Sequence, residues 1–294
     1  PLSVPAEGTL PSSVAVNNSY VINVGNLNTT GWNLNLRYSP IYQLEKRIIW
    51  TIAVTAAQNN SKYDGFSNRL SALNKEEQES KGLSRYYDGY SPDDLWAVES
   101  LGIDPANGRE IFQKQDGSIT YVYDPADIVR IGNLRPKLEG VITNTFAYRD
   151  FTLGISARYR IGGYVFNSAL YNKVENTGGD MSSFALVIVR PNLDKRALYN
   201  RWQKPGDVAE FTSVKAFNAS PMSSRYVQKD NHLIGESINL GWRTSAPWVR
   251  RLHLQSIGAN FILNDIFRIE SVLTERGLEY PFARTASLSI NLSF

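Results

Sequence analysis

The sequence predicts an all-β chain, a section of about seven antiparallel strands from a transmembrane β-barrel with long extracellular loops. Three observations carry this. Apolar and polar residues alternate with a period of two along several segments, the connections between segments alternate between short and long, and aromatic residues gather at the short-connection end. Period-two alternation sends successive side chains to opposite faces of a strand. A strand in a barrel wall needs only one of those faces to be apolar.

Taken in order, Trp32, Leu34, Leu36 and Tyr38 oppose Asn33, Asn35, Arg37 and Ser39. Phe151, Leu153, Ile155, Ala157, Tyr159 and Ile161 oppose Thr152, Gly154, Ser156, Arg158 and Arg160, and Ile238, Leu240 and Trp242 oppose Ser237, Asn239, Gly241 and Arg243. In these three strands every arginine falls on the polar face, as expected if the apolar face meets lipid, where an arginine at mid-bilayer costs roughly 2–4 kcal/mol. The last strand sets Leu288, Ile290, Leu292 and Phe294 against Ser287, Ser289, Asn291 and Ser293. Weaker patterns place strands at about 48–57, 138–148 and 252–263.

The connections are unequal. Arg149-Asp150 reads as a tight turn, and Pro40 to Arg47 and Thr244 to Arg251 as short links, whereas about 1–18, 58–137, 162–232 and 264–283 are long. Outer-membrane barrels have short periplasmic turns and long extracellular loops, which assigns the sides. Tyr38, Trp50, Tyr148, Phe151, Trp242, Trp248 and Phe294 then lie at the periplasmic end, where an interfacial aromatic girdle is expected. Within the long loops, Ser67 to Lys81 has helical composition with Gly82 as a stop, and Asp194 to Gln203 reads as a short helix. Asp104 to Gly108 reads as a turn, and Asp116-Gly117 as a type I′ hairpin turn between 110–114 and 119–123.

Composition narrows the function classes. The 294 residues carry 31 basic and 28 acidic side chains with no basic block, which argues against nucleic acid as a partner. There is no cysteine, so disulfide and thiolate chemistry are excluded for these residues. No apolar run reaches the length of a transmembrane helix, and no signal peptide is visible after Pro1. The two histidines, His232 and His253, sit in different elements, so no metal or cofactor site is expected. Asp104, Asn107 and Glu110 lack calcium-loop spacing, and no acid/base pair, nucleophile motif or Walker loop is present, so no catalytic residue and no enzyme activity is expected.

Specific segments also resemble one family. Asn200-Arg201-Trp202-Gln203-Lys204-Pro205-Gly206-Asp207 resembles a late loop of the SusC/RagA branch of TonB-dependent outer-membrane transporters. Ser224-Arg225-Tyr226-Val227, Ile238 to Trp242, Asn264-Asp265-Ile266-Phe267, Tyr280 to Arg284 and the terminal Phe294 follow in that family's order. Asn26 to Leu36, Ile103 to Phe112 and Arg135 to Gly140 are similar too, although Asn33 stands where the family usually has Glu.

The resemblance implies the C-terminal part of a large barrel of about 22 strands. It also implies an N-terminal plug, a SusD-like surface lipoprotein over the outer mouth, and TonB acting through a plug region not in this chain. The function so implied is energy-coupled import of oligosaccharides or peptides across the bacterial outer membrane. A platform barrel that organises surface proteins without import is the alternative. A soluble sandwich or binding module also alternates along its strands, but it does not require the loop asymmetry or the one-ended aromatics.

Candidate contacts to cargo or partner are Tyr86, Tyr87 and Tyr90, beside Trp96, together with Arg201 and Trp202. Aromatic faces with polar neighbours suit sugar rings or peptide side chains, and equally suit packing of the loop itself. Leu288, Ile290, Leu292 and Phe294 are expected to act as a barrel-insertion signal, a role the resemblance implies for the terminal aromatic. Seven strands alone would leave two unpaired edges in lipid, so the chain is expected to pair with a missing N-terminal barrel portion, Pro1 marking a cut or boundary in an outer loop.

Overall fold

The computed structural model describes residues 2–9, 19–66, 74, 75, 77, 79, 82, 84–176, 194–213, 219–272 and 284–294, with backbone alone before residue 25. Two compact units divide the chain. One comprises 1–30, 59–135 and 163–229, and the other 31–58, 136–162 and 230–294.

The dominant element is an antiparallel sheet of eight strands. Its strands are β1 (Leu2–Thr9), β2 (Ser19–Gln43), β3 (Ile48–Asp64), β8 (Leu138–Tyr148), β9 (Phe151–Phe166), β10 (Val227–Thr244), β11 (Ser256–Glu270) and β12 (Thr285–Ser293), neighbours in that order. All seven expected strands are present. β1 is additional, lying inside the expected loop 1–18, and its pairing with β2 shifts register at Val4/Pro5, as suits a proline that cannot donate to a ladder.

Register aligns the apolar residues of separate strands into continuous rows. Tyr148 stands opposite Phe151, Phe146 opposite Leu153, and Ile142 opposite Ala157. Leu240 faces Phe261, which faces Leu288, and Trp242 faces Ala259, which faces Ile290. These rows are uncovered: Phe151 is 53% exposed, Leu240 47% and Leu288 67%. An aqueous sandwich would bury such a face under a second sheet, so the exposed apolar rows argue against that reading. One polar residue on this side, Asn144, is satisfied by the Trp50 indole N–H at 2.8 Å.

Several strands outrun their sequence reading. β3 continues to Asp64, β9 to Phe166 and β11 from Ser256 to Glu270 rather than 252–263, so the loops expected at 58, 162 and 264 begin later. The β3 extension is polar almost throughout, that of β9 opens on Gly162-Gly163, and that of β11 mixes apolar and charged residues on both faces, so strict alternation fails in each; cross-strand pairs such as Thr29 with Ser61 at 2.8 Å hold the β3 extension. The link after β10 contains a short helix, α1 (Pro247–Arg251), with Val249 fully buried.

The expected loop 58–137 holds a second sheet of β4 (Asp94–Ile103), β5 (Glu110–Gln113), β6 (Ile119–Thr120) and β7 (Ile128–Asn133), ordered β6-β5-β4-β7. The hairpin at Asp116-Gly117 exists but is not type I′. Only Gly117 has a positive φ, 83°, and Lys114 accepts from its amide at 3.0 Å while donating to Ser118, so a three-residue loop ends on a left-handed glycine. The helix expected over 67–81 lies largely outside the described residues; Asn74, Lys75, Glu77 and Glu79 are helical, and Gly82 closes onto the Glu77 carbonyl at 2.8 Å. The helix expected over 194–203 is only a 3-10 turn at Lys195–Leu198, because Asn200 takes a left-handed φ of 56° and turns the chain away.

Candidate functional site

The segments around Glu110, Glu175 and Glu210 are joined by one largely buried guanidinium. Arg225, in the 3-10 turn Ser224–Tyr226, pairs with Glu110 at 3.1 Å and with Glu175 at 3.1 Å. It also donates to the Glu210 carbonyl at 2.7 Å and the Tyr226 hydroxyl at 2.6 Å, and lies over the Tyr226 ring. Glu175 accepts further bonds from Thr212 Oγ1 at 2.6 Å and Ser220 Oγ at 2.8 Å. Burial alone would raise the Glu175 carboxyl, but the Arg225 charge and the bonds from Arg225, Thr212 and Ser220 outweigh it and hold the group below its ordinary value. Alongside, Leu170, Val174, Ala197, Phe211 and Tyr226 form an apolar cluster.

Arg201 belongs to this interior and not to the surface. It is buried, and its guanidinium donates to the carbonyls of Ala197 at 2.7 Å, Thr212 at 2.9 Å, Glu175 at 3.2 Å and Val174. A guanidinium with four N–H bonds to these carbonyls clamps three chain segments from within. Trp202, next in sequence, is half-buried. Its indole N–H donates to the Pro105 carbonyl at 2.9 Å, and its ring lies on Gly108, where any added Cβ would come within 2.5 Å of ring carbon. Gly108 also has a φ of 72°, so both its backbone and its lack of a side chain are needed there.

The tyrosines divide into two groups. Tyr87 and Tyr90 join Trp96, with ring centroids 5.3 and 4.9 Å from it, and are themselves 44% and 41% exposed, whereas Trp96 is buried. Tyr86 packs instead with Tyr63, which stacks edge-on to Phe66, and its backbone is bracketed by the Asn74 side chain. Tyr87 and Tyr90 therefore leave part of each ring exposed beside a buried tryptophan, an arrangement able to pack on flat apolar groups.

In the wall unit, the polar face of β9 carries its own ion pairs. Arg158 meets Glu236 at 2.6 Å and Arg160 meets Asp230 at 3.3 Å. Glu236 would fall with Ile238 and Leu240 under strict alternation. A register shift between Gly235 and Ser237 turns it to the arginine side, and the Phe267 ring lies directly over Gly235. Leu288, Ile290 and Leu292 lie on β12, which pairs with β11 on one side, and Phe294 follows as an 81% exposed ring. Among the described residues no group of three or more potential metal ligands is assembled.

No family model matches the chain, and no curated protein does. Solved structures do match. The RagAB peptide importer in its open-open state superposes with a TM-score of 0.74 at 17% identity, covering 100% of this chain and 31% of that one. The same importer in its closed-closed state gives 0.73 at 16% identity, again over 100% of this chain and 32% of the other, and a further RagAB peptide transporter structure gives 0.66 over 90% of this chain. At these identities the likeness is one of fold, and it makes the sheet a section of a barrel-like wall. The chain spans about a third of the length of the chains it matches.

Proposed function

We propose that this chain forms wall and outer loops of a bacterial outer-membrane transporter that imports peptides or oligosaccharides. The observation that carries the reading is the uncovered apolar rows that register aligns across β8 and β9 and across β10 to β12, with ion pairs on the opposite face. A face of that kind meets hydrocarbon, while the opposite, charged face meets water or protein. The match in fold to a peptide importer supports transport as the purpose of such a wall.

In this reading the long-loop segments lie outside the cell, and Tyr87 and Tyr90 contact cargo or a SusD-like lipoprotein. Arg201, Trp202 and the Arg225 cluster fix the shape of the loops that hold them. TonB acts through a plug elsewhere in the protein, and Leu288, Ile290, Leu292 and Phe294 report the finished strand to the insertion machinery. Deleting the gene is expected to abolish uptake of a labelled peptide or oligosaccharide pool while surface proteins persist. Normal uptake with surface proteins lost would replace import with the platform role.

A further inference from the structure

The loop unit contains a cleft apart from the Tyr87/Tyr90 patch. Its cavity volume is about 410 Å³, within the range of small-molecule sites, and Tyr121, Tyr123 and Trp202 supply ring surface while Thr212 and Ser220, whose hydroxyls donate to Glu175, complete the lining. The two charged residues of its lining differ sharply. Glu110 is buried and neutralised by Arg225, whereas Arg109 is exposed and forms no ion pair among the described residues.

The Arg109 guanidinium is nevertheless held in place. It lies 4.9 Å over the Tyr121 ring and gives one N–H to the Tyr121 carbonyl at 3.4 Å, leaving its other donors unassigned. The Asp104 carboxylate accepts from the Tyr121 hydroxyl, the Ala106 amide and the Asn107 side chain and makes no ion pair with Arg109. An oriented guanidinium without an ion-pair partner, beside aromatic rings, suits a planar anion attached to a flat apolar group.

We propose that this cleft binds a carboxylate carried next to a ring-sized apolar face, with Arg109 taking the carboxylate and Tyr121 and Trp202 taking the ring. A peptide ending in an aromatic residue and a uronic-acid oligosaccharide both present that chemistry. The inference rests on the transport reading only for the source of the ligand, and equilibrium binding tests it whether or not uptake is observed.

The test is titration of the full-length protein in detergent with two matched pairs of probes. One pair is a tripeptide with C-terminal phenylalanine and its amide; the other is trigalacturonic acid and its methyl ester. The acid of at least one pair is expected to bind about tenfold tighter than its neutral partner, the worth of a charge-assisted hydrogen bond at an open site. The pair showing the preference identifies the source. Arg109→Gln is expected to erase the preference and Lys114→Gln to leave it intact. Should Arg109→Gln alter the protease resistance of the loops, the wild-type preference is followed from low to high salt, where it is expected to shrink. Equal binding of acid and neutral forms in both pairs, a preference that survives in a folded Arg109→Gln protein, or one insensitive to salt overturns the proposal.

Discussion

At the scale of single residues, Arg225 does most to hold the loop unit together. Its two carboxylate partners are both buried, so Arg225→Met would leave two anions without a cation, at a cost of about 3–5 kcal/mol. Limited proteolysis is expected to cut the loops of that variant while sparing the wall. The same cluster sets a pH dependence. Because the folded Glu175 carboxyl lies below its unfolded value, its contribution is fully present above that unfolded value, near 4.3, and is lost as pH falls through the folded one. Protease resistance of the loops is therefore expected to decline in acid, and Glu175→Gln to remove that part of the decline. An acid profile unchanged in Glu175→Gln would show that another group controls it.

The wall makes an equally local prediction. Ile155 pairs with Asn144 on the apolar face, and Ser156 lies beside Glu236 on the charged one. Ile155→Arg is expected to cost about 2–4 kcal/mol of folded barrel, read as heat stability on gels, whereas Ser156→Arg is tolerated. Equal losses would mean that the faces are misassigned.

At the scale of elements, what could be read from sequence depended on where burial or lipid imposed a period. All seven wall strands were legible because one face must be apolar, and a one-residue slip would invert it. The ends of β3, β9 and β11 were not, since a polar run, a glycine pair and mixed faces break the period there. Alternation alone would misplace Glu236, because a register shift is a backbone event without a composition signature. The Arg225 cluster was invisible for another reason: its partners are 115 and 50 residues away in the chain, and no local pattern links Glu110 to Glu175. Arg201 and Trp202 stand out in the sequence as a motif, yet the structure explains their adjacency by packing, one donating to carbonyls and the other covering a glycine. The terminal strand remains a prediction at this scale. Removing Phe294, whose ring follows the end of β12 and is exposed, is expected to lower the amount inserted far more than the heat stability of inserted protein. The opposite pattern would make β12 an ordinary edge strand.

At the scale of the whole molecule, β1 and β12 stand at the two ends of the strand order and each has one neighbour among the described residues. In hydrocarbon each unsatisfied backbone group costs several kcal/mol, so both edges are expected to pair with further strands in the membrane. The chains this one matches are about three times as long, which is room enough for such a complement. The central claim is that the aligned apolar rows face lipid. It is tested most directly by single cysteines at Leu240 and Asn239, neighbours on opposite faces of β10 in a chain with no cysteine of its own, each labelled with a fluorophore in the membrane-inserted protein. The label at 240 is expected to be quenched by a lipid-bound nitroxide and spared by a water-soluble quencher, and the label at 239 to be spared by the nitroxide. Quenching of position 240 from water, with none from lipid, would contradict the account.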